Sequence, residues 1–152
     1  MYKHILVPVD GSELSSHASV KAVALARSLD AHITFLYVQP DYPRPIVGEG
    51  TLIAPENREE FLRSTEEVAD TILGDAVRMA AESTVSAAQH TEVSDTPWEV
   101  ITRMAVAQKC DLIFMASHGR RGLASLLIGS ETNKVLTHTT IPVLVYREGK
   151  TS

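Results

Sequence analysis

Short apolar runs and helical patterns alternate along this chain without a break, and that alternation is its strongest constraint on fold. The runs are residues 5–9, 32–38, a weaker one at 85–93, 112–116 and 142–146. Ile5-Leu6-Val7-Pro8-Val9 carries no polar position at all, the pattern of a strand buried on both faces of a parallel sheet. Between the runs, Leu14, Ala18, Ala22, Leu25 and Leu29 recur at helical spacing, as do Ala69, Ile72, Ala76 and Ala80 within residues 56–82. Thr96-Pro97-Trp98-Glu99 reads as a helix start, with threonine as N-cap, proline at the first helical position and glutamate closing a capping box. That helix carries Ile101, Met104, Ala105 and Gln108, and a last helix runs over residues 130–138 with Ser130 as its N-cap. The order β-α-β-α-β-α-β-α-β predicts a single α/β domain: a five-stranded, parallel, doubly wound sheet of Rossmann-like or flavodoxin-like type. In such sheets a ligand sits beyond the carboxyl ends of the strands, where strand order reverses. If the first and fourth strands flank that point, Asp10 and the loop at Gly119 face one crevice.

Composition narrows the function. Charged residues make up 22% of the 152 and the net charge is −5, which argues against nucleic acid or an anionic membrane as the main partner. The single cysteine, Cys110, excludes an intrachain disulfide or a thiol metal cluster and suits a small core residue in a reducing compartment. Met1-Tyr2-Lys3-His4 leads straight into a strand pattern without a signal peptide, and no apolar stretch approaches a membrane span, so a cytoplasmic protein is expected. Residues 39–55 hold four prolines and read as a long loop, a flap or an insertion.

The chemistry concentrates in Ala116-Ser117-His118-Gly119, nine further residues, then Gly129-Ser130. A strand end, a glycine loop with Arg120 and Arg121, and a small-residue helix start together describe an anion site: backbone N–H groups approach closely and the helix dipole favours negative charge. Phosphate, and hence a nucleotide, is the expected ligand. Neither common phosphate motif is present. No lysine stands between Gly129 and Ser130 as a P-loop requires, and Asp10-Gly11-Ser12-Glu13-Leu14-Ser15 is not a dinucleotide fingerprint. Two readings stand here: the Asp10 carboxylate holds a ribose hydroxyl or a divalent cation, or Asp10 and Ser12 form a turn and cap the first helix. His118 reads as a locally hydrogen-bonded residue, or else as a phosphate donor or an acid or base. Trp98 reads as core or interface, and His4, His17, His32, His90 and His138 show no metal-ligand spacing.

The opening "ILVPVDGS", the 116–130 segment and the ending "KVLTHTTIPVLVYR" together resemble the universal stress protein family of the UspA type, over nearly the whole chain apart from residues 39–60. The resemblance implies a domain over residues 1–148, with a long flexible loop at 39–58 and a tail at 149–152, of the adenine nucleotide alpha hydrolase-like fold. It points to the ATP-binding branch, marked by Gly-x-x-Gly, nine residues and Gly-Ser/Thr, from which this chain departs at Ala116. It further implies that Asp10, beside Pro8 and Ser12, approaches the ribose or a magnesium or manganese ion. Val38 meets adenine through its backbone. Gly119, Gly129 and Ser130 cradle the phosphates, with Ala116, His118, Arg120, Glu131 and Thr132 around them. The expected role is a cytoplasmic, nucleotide-dependent stress-response regulator or sensor, a homodimer paired through Val143, Leu144 and Val145. A cyclic AMP-binding relative and a nucleotide-free interaction protein are the alternatives. No base is visibly paired to a nucleophile, so slow ATP hydrolysis is the most catalysis expected.

Overall fold

A computed structural model describes residues 1–43, 57–119 and 127–149. Its elements are β1 (His4–Val9), α1 (Glu13–Leu29), β2 (His32–Gln39), α2 (Arg58–Glu82), β3 (Ala87–Val93), α3 (Pro97–Ala107), β4 (Leu112–Ala116), α4 (Ser130–His138) and β5 (Val143–Tyr146). The five strands form one sheet in the order β3-β2-β1-β4-β5, and every pairing is parallel. Strand order therefore reverses between β1 and β4, which meets the condition under which Asp10 and the Gly119 loop share a crevice.

The unbroken apolar runs follow from burial on both faces. Ile5, Val7 and Val9 of β1, with Phe35 of β2 and Phe114 of β4, pack against Ala18, Ala22 and Ala26 of α1 and Ala69 and Leu73 of α2. The intervening Leu6, Leu36, Ile113 and Met115 pack on the opposite side against Val100, Ile101 and Ala105 of α3 and Val135 of α4. Small residues line the α1 face, so that helix lies close on the sheet. Cys110 belongs to the second core, and burial, with the Asp111 charge beside it, pushes its thiol up to about 12. A thiol so placed is inert packing.

Boundaries differ from the sequence reading at several ends. α2 begins at Arg58 rather than at residue 56, where Asn57 supplies the N-cap by accepting from the Glu60 N–H. β3 begins at Ala87; Val85 is buried but precedes the pairing. β5 begins at Val143, after Pro142, which has no N–H to give to a ladder. The capping box expected at Thr96 does not form. Ser94 Oγ accepts the Thr96 N–H at 3.1 Å, and the Thr96 hydroxyl faces Glu99 Oε2 at 3.4 Å, so no side chain of its own caps α3. Most of the long loop, residues 44–56, lies outside the described residues, as do Arg120, Arg121, Gly122 and residues 150–152 of the tail.

At the amino ends of the strands, His4 and His32 sit on paired positions of β1 and β2 with ring centroids 4.8 Å apart. His4 Nε2 lies 2.7 Å from Thr34 Oγ1, and Asp111 accepts the backbone N–H groups of Lys3 and His4. Burial and the neighbouring His32 lower the His4 pKa, against opposing contributions from Asp111 and the Gln108 backbone. A histidine that resists protonation in the folded state binds fewer protons there than in the unfolded chain, so stability falls as pH drops below about 6.5. Burial alone would raise the Asp111 pKa, but the N–H groups of His4 and Lys3 outweigh it and lower it, so a further loss follows below about 4. The thermal midpoint is accordingly expected to fall between pH 7.5 and 5.5, and His4→Gln to flatten that slope. An unchanged slope in the variant would remove His4 as its origin.

Candidate functional site

β1 ends at Val9, and the chain turns sharply at Gly11, whose φ of 79° suits a residue without Cβ. Asp10 Oδ1 accepts the Ser12 N–H at 2.9 Å, and Ser12 Oγ in turn accepts the Ser15 N–H at 3.1 Å, which caps α1. The local reading of these two residues is therefore realised for both: Asp10 Oδ1 makes the turn, and the Ser12 side chain is spent on the helix. Asp10 keeps Oδ2, which points across the strand-order reversal toward Gly119. A Cβ built on Gly119 would stand 2.5 Å from that oxygen, so a side chain there would displace the Asp10 carboxylate from its present position.

On the other side of the reversal, β4 leads through Ser117 and His118 to the glycine loop. Gly129 closes the loop by donating its N–H to the Ser117 carbonyl at 2.7 Å. A Cβ there would lie 3.0 Å from His118 Cα, 3.1 Å from its Cβ and 3.3 Å from the Ser117 oxygen. Gly129, not Ser130, occupies the N-cap position of α4, and a glycine has no side chain with which to cap it. The first turn of an α-helix leaves its N–H groups without intrahelical partners, and the helix dipole adds positive character there. Thr132 is 2% exposed and donates its hydroxyl to the Ala116 carbonyl at 2.9 Å, which pins the first turn of α4 to the end of β4. His118 Nδ1 lies 3.2 Å from Ser117 Oγ, the local contact expected of it.

These elements surround a cavity of about 730 Å³ across the carboxyl ends of β2, β1 and β4, within the size range of small-molecule sites. Of the residues singled out in the sequence, Pro8, Asp10, Val38, Ala116, His118, Gly119, Gly129, Ser130, Glu131 and Thr132 line it. Ser12 does not, and Arg120 lies outside the described residues. Several wall residues escaped the sequence reading. Leu36, Ile101 and Met115 form an apolar end near Val38, closed by Pro40, Ser94, Asp95 and Pro97. Asp95 Oδ1 accepts the Asp41 N–H at 3.1 Å and so holds the chain leaving β2 against the start of α3. The only signal for this wall was topological: β3 lies beside β2, so the turn after β3 borders the end of β2. The arrangement pairs an apolar slot with a helix start whose N-cap is a glycine, and Asp10 stands between them. Among the described residues, no group of three histidine, cysteine or acidic side chains is placed to hold a metal ion.

Known proteins share this architecture and sequence. Universal stress protein MJ0531 of Methanocaldococcus jannaschii is 32% identical over 154 residues, covering 99% of this chain and 85% of that protein. The solved structure of the universal stress protein UspA from Lactobacillus plantarum matches with a TM-score of 0.80 at 26% identity, over 96% of this chain and 98% of that one. That of protein MJ0577 of Methanocaldococcus jannaschii also reaches 0.80 at 26% identity, over 99% of both chains. Residues 1–147 match the pattern common to one family across all five strands and both sides of the cavity: the chain belongs to the universal stress protein family.

Proposed function

We propose that the cavity binds an adenine nucleotide, ATP foremost, and that the protein is a cytoplasmic, nucleotide-dependent regulator or sensor of a stress response. One observation carries this reading: the first turn of α4, whose N-cap is a glycine, lines the cavity, and a Cβ at Gly129 would press on the backbone of His118 and Ser117. A cradle made of backbone at a helix start suits an anion, and phosphate oxygens in particular. The residues present fit the group. The N–H groups of Ser130, Glu131 and Thr132 would hold phosphates, Asp10 a ribose hydroxyl or a phosphate-bound magnesium or manganese ion, and the apolar end near Val38 the base. Arg120 follows Gly119 in the chain and would add positive charge. Ala116 in place of glycine is compatible with this role, because it ends a regular strand and offers its carbonyl to Thr132.

Two members of the family that share the fold at 19% identity support the choice of base: one is described in complex with cAMP, the other, from Arabidopsis thaliana, with AMP bound. The reading extends to a homodimer. β5 is a four-residue edge strand, and Leu144 on it is 38% exposed. An apolar parallel edge of this kind invites pairing with a second copy.

The test is to denature freshly purified protein and identify the released nucleotide by chromatography and mass. Stoichiometric ATP is the expected result. Cyclic AMP would redirect the function to second-messenger sensing. Finding no nucleotide, followed by no binding in titrations, would overturn the proposal in favour of a nucleotide-free interaction protein.

A further inference from the structure

The start of α3 lacks a side-chain cap of its own, yet its Trp98 N–H is satisfied. The acceptor is Glu131 Oε2, at 2.9 Å, from the first turn of α4, thirty-three positions along the chain. One carboxylate thus joins the starts of two helices that border the same cavity. Trp98 is fixed further by its ring, which lies 4.3 Å from that of His138 at the far end of α4. The tie places a full negative charge in the first turn of the helix whose N–H groups form the phosphate cradle. Lys134 offsets it weakly: its Nζ stands 3.8 Å from Glu131 Oε1, and both side chains are about half exposed.

We infer that Glu131 sets the charge selectivity of the cavity, acting as a resident anion that a ligand's phosphates must face. This rests on the phosphate cradle proposed above. The physical argument has two parts. A carboxylate at the positive end of a helix already satisfies part of the dipole that a ligand phosphate would use. It also lines the same cavity and so repels each added phosphate charge, at a partial exposure where screening is incomplete. Because the Trp98 N–H holds Glu131 Oε2, the carboxylate does not simply swing away into solvent. The penalty therefore grows with ligand charge: smallest for adenosine, larger for AMP, largest for ATP. Glu131 is a specificity-determining residue here, and its backbone N–H remains part of the cradle.

Glutamine separates charge from geometry, because its amide oxygen can still accept from Trp98. The experiment titrates adenosine, AMP, ADP and metal-free ATP into wild type and Glu131→Gln by calorimetry, with Trp98 fluorescence as the check on the helix tie. Across the series, the affinity gain of the variant is expected to grow with ligand charge. The ATP-to-adenosine affinity ratio should rise about two- to fivefold, the size of one charge in a helix's first turn. Raising salt should shrink that gain. Lys134→Met, an exposed change, should move the same ratio the other way. A merely structural role would shift all four ligands alike, and a ratio unchanged in both variants overturns the inference while leaving nucleotide binding standing. Failure of every ligand to bind either protein overturns the nucleotide reading and this inference with it.

Discussion

Gly129→Val is expected to lower the affinity for ATP about a hundredfold or more while the fold persists. A valine Cβ would meet the His118 backbone at 3.0 Å and the Ser117 carbonyl at 3.3 Å, and neither is a flexible side-chain tip that can move aside. The loop must back away, and the first turn of α4 goes with it. Losing two charge-assisted hydrogen bonds, about 1.5 kcal/mol each, amounts to about a hundredfold in Kd. The damage stays local, because the helix remains pinned through Thr132 to Ala116 and through Val135 to the core. Calorimetric titration with ATP, alongside a thermal melt, separates the two effects. An affinity within about threefold of wild type would exclude Gly129 from the site.

Phe35→Ala is expected to be the most damaging single truncation for stability. Phe35 is fully buried in β2 and heads the largest enclosed side chains, packed between the sheet and the helices α1 and α2. Truncating such a phenylalanine costs about 3–5 kcal/mol, transfer and cavity together, out of a typical total of about 5–15. For a domain of this size, that corresponds to a thermal midpoint lower by about 6–20 °C. The change also reaches function, because β2 ends in the apolar side of the cavity at Val38. Nucleotide affinity should fall as the variant approaches its midpoint, but change little well below it. A drop under about 4 °C would mean that the neighbouring alanines of α1 and α2 close the void.

Much of the fold was legible because burial leaves a local record. β4 and α4 lie at the residues their patterns mark, 112–116 and 130–138, and the alternation of elements foretold the parallel sheet. Helix starts were harder to read. At Thr96 the sequence carries every residue of a capping box, yet the serine two positions earlier takes the backbone N–H and a distant glutamate takes the first-turn donor. At Ser130 the glycine before it holds the cap position instead. Capping turns on a few hydrogen bonds of similar strength, so a rival acceptor brought in by tertiary packing decides the outcome.

The site divides along the same line. Glycines, the acid after β1 and the small-residue helix start were visible, because close backbone approach and anion binding demand particular residue types. The wall made by Pro40, Ser94, Asp95 and Ile101 was not, since those residues are unremarkable in their own segments. By itself, the sequence determined which stretches become strands and helices and which faces they bury, because the period of apolar residues is written into each segment alone. Only the tertiary structure decided that Asp10 would meet Gly119 and that Glu131 would cap Trp98. Those meetings depend on strand order and on the distance between elements far apart in the chain, and nothing within either segment specifies its partner.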